Sequence, residues 1–301
     1  MRASLVVIAL LALTTACGSS SHPSSERSAP PPGSLEALWK QSRESVALIP
    51  GTTDYSPGDV RVSFLVVDHR GRVIEPPQAR VWLADSLLSK PRQQRVARLE
   101  PLGVRGVSTD VPVKALYVTH LRIRSAGTYY LLARPVGARI GAIGQVVVSP
   151  RSQTPAVGAR AYPSKTPTLA SAHGRAATIT TRIPPDRALL RYSIADSLAA
   201  HVPFVVTFAT PRWCSSRTCG PVVDVVNAAR KRFARTNIRF IHVEIYAGND
   251  PHKGYNPWYK QWRLPSEPWT FLVGADGRIK AKFAGSVSVR ELDAAIQQYL
   301  R

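Results

Sequence analysis

The sequence predicts a multidomain chain in which an all-β unit, read as a β-sandwich, precedes an α/β unit. Three observations carry this. Between residues 41 and 150, short β-branched segments recur with turn signals between them. Residues 151–186 hold scattered Pro, Ser, Thr and Ala with neither a helical nor a strand period, the pattern of a linker. From residue 187 onward, continuous apolar runs alternate with helical stripes. A length of 301 residues exceeds one typical core, and a composition that is 44% hydrophobic and 20% charged excludes disorder throughout.

At the start, Met1-Arg2 leads into Leu5-Val6-Val7-Ile8-Ala9-Leu10-Leu11-Ala12-Leu13 and then Thr14-Thr15-Ala16. A basic start, a short apolar run and small residues predict a signal peptide over residues 1–16, too short in its apolar part to span a bilayer once mature. Cys17 follows directly, with Gly18-Ser19-Ser20 behind it, and this resembles a bacterial lipobox. The resemblance implies lipidation of Cys17 and a membrane partner through the N-terminal lipid. The protein would then sit on the outer face of the cell membrane, with residues 17–40 as anchor and flexible tether. Leu13 stands four residues before Cys17 instead of the usual three. Cleavage without lipidation, giving a secreted protein, is the alternative.

In the β unit, Val60–Val67, Ala79–Leu83, Leu116–Thr119, Tyr129–Ala133 and Gln145–Val148 read as strands. Ser56-Pro57-Gly58-Asp59 and Ser125-Ala126-Gly127-Thr128-Tyr129 before two of them resemble immunoglobulin-like modules of exported proteins. His69 and His120 stand alone there, without the companions a catalytic or metal site needs.

In the α/β unit, Pro203–Ala209 is a buried strand and Pro221–Phe233 a helix with Val222, Val225, Val226, Ala229 and Phe233 on one stripe. Ile238–Ile245 is a second strand, Trp269–Val273 and Ile279–Phe283 form a hairpin, and Ser288-Val289-Arg290-Glu291 is a capping box opening a last helix. The order is strand, helix, strand, connection, hairpin, helix.

Charge and cysteine count bound the function. Forty Lys and Arg against 19 Asp and Glu give +21, but the excess is spread, +13 up to residue 185 and +8 beyond it. With no nucleic-acid-binding motif beside it, this predicts a cationic exterior and no nucleic-acid partner. Three cysteines exclude a disulfide-dense scaffold and a four-thiolate zinc site. One is Cys17. The other two, Cys214 and Cys219, lie in Thr210-Pro211-Arg212-Trp213-Cys214-Ser215-Ser216-Arg217-Thr218-Cys219-Gly220-Pro221, between the first strand and the helix.

Phe208-Ala209, Trp213-Cys214, Cys219-Gly220-Pro221, Glu267-Pro268 before a central strand and Gly285 before the last helix make the last 110 or so residues resemble the thioredoxin-like superfamily. The resemblance implies a thiol–disulfide oxidoreductase of exported proteins, with Cys214 and Cys219 as redox pair and disulfide, Pro268 cis beside them, and no dissociable cofactor. Its partners would be protein thiols and disulfides outside the cytoplasm. The spacing departs from the family, with four residues between the cysteines in place of two. Matching Trp213-Cys214 makes Cys214 the attacking thiol, whereas matching Cys219-Gly220-Pro221 puts Cys219 at the helix start, where free N–H groups favour a thiolate. Arg212 and Arg217 are expected to favour the thiolate as well. Thr207 stands where the family often has a buried Asp, and Glu267 is the candidate to take over its proton transfer. Two alternatives stay open. A copper chaperone would use both cysteines with His242 or His252, and a redox-inactive binding module would keep the pair as a structural staple. Trp258, Trp262 and Trp269 would line a peptide groove or pack under the loop before them.

Overall fold

The computed structural model describes residues 29–108 and 113–301, so the expected signal peptide, Cys17 and most of the tether lie outside the described residues. Within the expected tether, Leu35–Lys40 is already a helix, α1, capped by Ser34, whose hydroxyl accepts from the Ala37 N–H. Leu35 is fully buried against Trp82, Ala84 and Leu132, and the Trp39 indole donates to the Gly141 carbonyl at 3.3 Å. Residues 35–40 are therefore part of the β unit and not a tether.

Among the described residues seven strands follow: β1 (Glu44–Pro50), β2 (Gly58–Val67), β3 (Gln78–Ala84), β4 (Gln93–Pro101), β5 (Ala115–Ile123), β6 (Gly127–Pro135) and β7 (Ile140–Val148). They pair in the order β1-β2-β5-β4-β3-β6-β7 and close, because β1 lies antiparallel to β2 on one side and parallel to β7 on the other. The expected two-sheet immunoglobulin-like sandwich is thus replaced by one closed barrel. The five strands legible in the sequence make only two separate sets of pairs, β2 with β5, and β3 with β6 and β7. Two strands that the pattern hides, β1 and β4, join those sets at both edges. β4 is the sequence QQRVARLEP, with Ala97 and Glu100 its only buried side chains, so its charge conceals it. Inward-facing Val62, Phe64, Val66, Val81, Leu83, Tyr117, Leu121 and Leu131 fill the barrel, and closure leaves no long unpaired edge.

The segment after β7 packs along the second unit. Ala161 and Gly158 donate their N–H groups to the carbonyls of Gly277 and Ile279, and Ala161, Ala172, Ala176 and Ile179 are buried. Then come α2 (Ile194–Ala199), β8 (Phe204–Phe208), α3 (Cys219–Arg232), β9 (Arg239–Val243), α4 (Pro257–Gln261), β10 (Trp269–Val273), β11 (Ile279–Ala284) and α5 (Val289–Tyr299). The sheet order is β11-β10-β8-β9, with β8 and β9 parallel and β10 antiparallel to both β8 and β11. Apart from the short α2 and α4, which the sequence did not predict, this is the expected element order. Every residue of β8 and β10 is buried, because α3 and α5 cover one face through Val205, Phe240 and Leu272. The other face carries Val206, Phe208 and Phe271 against Ile194, Tyr259 and Trp262. A strand buried on both faces reads as an unbroken apolar run, which is why these two were legible.

The two units meet through charged groups. Arg61 on β2 donates to both oxygens of Glu291 at 2.7 and 3.0 Å and to the Ser286 carbonyl at 2.9 Å. Glu100 on β4 accepts from Arg290 and from the Ser288 hydroxyl. Ser108 donates to Asp224 on α3 at 2.7 Å. Gly285 has φ +69°, and a Cβ there would lie 2.7 Å from the Gly51 carbonyl across the interface. Gly285→Ala combines left-handed strain with that clash, so it is expected to lower the unfolding free energy by about 1–3 kcal/mol in a urea titration.

Candidate functional site

The end of β8 delivers the chain to the site. Thr210 turns it, with the Trp213 N–H donating to the Thr210 carbonyl at 3.2 Å. The Arg212 N–H is tied to the Thr181 hydroxyl, and the Trp213 indole donates to the Asn249 carbonyl at 2.9 Å. Cys214 follows, 9% exposed, and Cys219 is the first residue of α3 and wholly buried. Both are free thiols. The four residues between them form an extra turn, in which the Arg217 N–H donates to the Cys214 carbonyl at 3.2 Å and Arg217 takes φ 56°.

That turn places the Cys214 sulfur over the end of α3. The Cys219 N–H donates to Cys214 Sγ at 3.3 Å, and Ser216 Oγ lies 3.3 Å from the same sulfur. Thr218, at the N-cap position, makes no side-chain cap bond, so the sulfur occupies the place a capping oxygen would take. The helix start therefore favours a thiolate on Cys214 and not on Cys219, which corrects the assignment made from position alone. The Cys214 thiol is brought down from 9.0 to about 6, chiefly by the Cys219 S–H donating to it, against the opposing effect of burial, with Ser216 and the Cys219 and Thr218 N–H groups adding to the first. Burial, and then the donation to Cys214, push the Cys219 thiol well above its ordinary value. The largest contributions to that acidity are hydrogen bonds, and neither Arg212 nor Arg217 is among them.

The Ser216 hydroxyl was not singled out by sequence. Its signal was present, two serines inside the spacer, but their direction depends on a turn that spacing does not specify. Ser216→Ala removes one donor from the thiolate. The midpoint of the pH profile for Cys214 alkylation is then expected to rise by about 0.5–1 in pH, since Ser216 is exposed and water partly replaces it. An unchanged midpoint would show that the hydroxyl turns elsewhere.

Pro268 is buried behind a cis Glu267–Pro268 bond, as expected. Trp269 pairs with Phe208, so Pro268 reaches the same end of the sheet as the loop that begins at Ala209. The turn is held from behind by the Tyr259 hydroxyl on the Ser266 carbonyl at 2.8 Å and by the Gly285 N–H on the Pro268 carbonyl at 2.9 Å. Glu267 is half-buried, and burial first, then the nearby Cys214 charge, raise its carboxyl, while the Ser215 N–H opposes them. Its charge also acts on Cys219. Thr207 is buried and bonded to Thr270 and the Trp269 carbonyl, so this position holds a hydroxyl and no carboxylate.

The remaining candidates fall elsewhere. His242 is buried in β9, with Nε2 3.0 Å from the Ala209 carbonyl and Nδ1 3.4 Å from the Thr180 hydroxyl. His252 is exposed on a 3-10 turn. Among the described residues, no three His, Cys, Asp or Glu side chains gather where a metal could be held, so neither histidine completes a site with the two sulfurs. Trp262 and Trp269 belong to the core. Trp258 lines a cavity of about 290 Å³ with Ile179, Glu244, Tyr246 and Asn249, next to the carbonyl that anchors Trp213.

No family model matches the chain, and no curated protein does. Among solved structures, a thiol:disulfide interchange protein of the thioredoxin family from Chlorobium tepidum TLS is similar over 48% of this chain and all of its own, with 14% identity and a TM-score of 0.28. A likeness at that level decides nothing by itself. The strand order and the sulfur geometry are what the chain offers: two cysteines in contact at a helix start, one acidified and 9% exposed, the other protonated and wholly buried.

Proposed function

We propose that the protein is a thiol–disulfide oxidoreductase acting on exported proteins. The observation that carries this reading is the Cys214 sulfur, seated on the first N–H of α3 at 3.3 Å with the Ser216 hydroxyl beside it. At pH 7 a thiol with a value of about 6 is about nine-tenths thiolate, and the thiolate is the nucleophile. The Cys214 thiolate attacks one sulfur of a substrate disulfide, forming a mixed disulfide and expelling the other substrate sulfur as a thiolate. Cys219 then loses its proton, with Glu267 as acceptor, and attacks Cys214 Sγ. The second substrate thiolate leaves, two electrons have passed to the substrate, and a Cys214–Cys219 disulfide remains. Run in reverse, the same steps oxidise a dithiol. A structural staple would not need an acidified sulfur.

The N-terminal sequence supports work outside the cytoplasm, with residues 1–16 removed and Cys17 carrying a lipid. No described helix is long and apolar enough to cross a membrane. Incubating the reduced protein with a neutral cystine peptide is expected to produce free peptide thiols and the intramolecular Cys214–Cys219 bond in equal amounts, read by mass after alkylation. Recovery of both thiols unreacted, with the peptide intact, would refute the reading.

A further inference from the structure

The arginines on either side of Cys214 are not among the groups that contribute most to its acidity. Arg212 and Arg217 are both exposed, two residues before the sulfur and three after it. Among the described residues neither has a carboxylate within ion-pair distance, whereas Arg61, Arg182, Arg232 and Arg290 are all paired. Nor are the two loosely held. The Arg212 backbone is tied to Thr181, and its guanidinium lies 4.7 Å from the centre of the Trp213 ring, which is itself fixed to Asn249. Arg217 sits on the left-handed residue of the turn, its N–H bonded to the Cys214 carbonyl. The acidic groups on this side are already engaged. Glu267 accepts from the Ser215 N–H, and Asp250 accepts from the His252 N–H.

We infer that the Arg212–Trp213 platform and Arg217 select disulfides flanked by Asp or Glu, so that the substrate class is an acidic exported protein or peptide. With Cys214 only 9% exposed, a disulfide reaches it only on a protruding segment, and the residues beside that disulfide then lie over the loop that carries both guanidiniums. Guanidinium matches carboxylate in shape and charge, and the half-exposed Trp213 face adds apolar contact for the segment between them. The inference rests on the exchange activity proposed above and adds the choice of substrate to it.

The test uses the full-length protein and three cystine peptides identical except for flanking Glu, Ser or Lys. At low salt the Glu peptide is expected to be reduced about tenfold faster than the Lys peptide, and the ratio should fall towards one at high ionic strength. Arg212→Glu with Arg217→Glu should invert the ratio. Arg95→Glu with Arg98→Glu, both exposed on β4, changes the net charge equally and should leave the ratio as it was. Equal rates for the three peptides, or a ratio that follows net charge in both double variants alike, would overturn the inference while leaving the exchange activity standing. Failure of the Ser peptide to react at all would instead refute the activity.

Discussion

Cys214→Ser is expected to abolish exchange, while Cys219→Ser should form mixed disulfides with substrate and hold them. The asymmetry follows from the geometry. Cys214 keeps 9% of its surface exposed where Cys219 has none, and it is the one that takes the helix N–H, so without it no thiolate meets the substrate. An ordinary thiol at 9.0 is about one-hundredth ionised at pH 7, and Cys219 lies above even that value in a fully buried position, so it gives no substitute nucleophile. The loss in Cys214→Ser should exceed about a hundredfold in the rate of peptide reduction. Cys219→Ser removes the resolving sulfur, and the S–H that contributes most to the acidity of Cys214 goes with it. Its alkylation midpoint should therefore rise above about 6, partly compensated by the new hydroxyl. Trapping in the opposite variant would reverse the roles. Glu267→Gln should slow the resolving step and leave the first attack nearly unchanged, because the carboxyl's charge acts on Cys219 but is not among the largest influences on Cys214. Equal slowing of both steps would show that Glu267 is not the proton acceptor of the second.

The α/β unit was legible in the sequence because its strands are buried on both faces and its caps are local. β8 and β10 read as apolar runs, and the Ser288 box is closed by the Glu291 side chain just as the four-residue pattern implies. The pair of cysteines was legible too, since position between strand and helix is a property of chain order. What the spacing hid was which sulfur meets the helix end. Four intervening residues admit a turn that folds Cys214 back onto the Cys219 N–H, and nothing in Ser-Ser-Arg-Thr distinguishes it from an open loop. The barrel was missed for a different reason. β1 and β4 expose most of their side chains, so hydrophobic pattern is weak where pairing through backbone groups is strong. The expected sandwich was the barrel with its two joining strands omitted.

Arg61→Ala is expected to cost about 3–5 kcal/mol of stability at pH 7, a large effect at the junction of the two units. Both side chains of the Arg61–Glu291 pair are about nine-tenths buried, at 9% and 10% exposed. Removing the guanidinium leaves a buried carboxylate with only the Ser288 bonds, and that is far costlier than losing an exposed pair. The pH dependence separates this cause from lost packing. Burial pushes the Glu291 carboxyl up, but the charge and hydrogen bonds of Arg61, with those of Ser288, bring it below 4.5. The wild-type pair therefore adds stability above about 4.5, and this is lost as the pH falls through the lower folded value. In Arg61→Ala burial is left to win. The carboxyl should then lie above its unfolded value, so that it destabilises the variant at neutral pH and ceases to do so once protonated. The gap in urea midpoint between the two proteins should accordingly narrow from pH 7 to pH 4. Arg61→Met with Glu291→Gln, which leaves no charge behind, should recover much of the loss at pH 7. A gap independent of pH, with no recovery in the double variant, would mean that Arg61 holds the interface by packing and by its bond to the Ser286 carbonyl, and not as the counter-charge of Glu291.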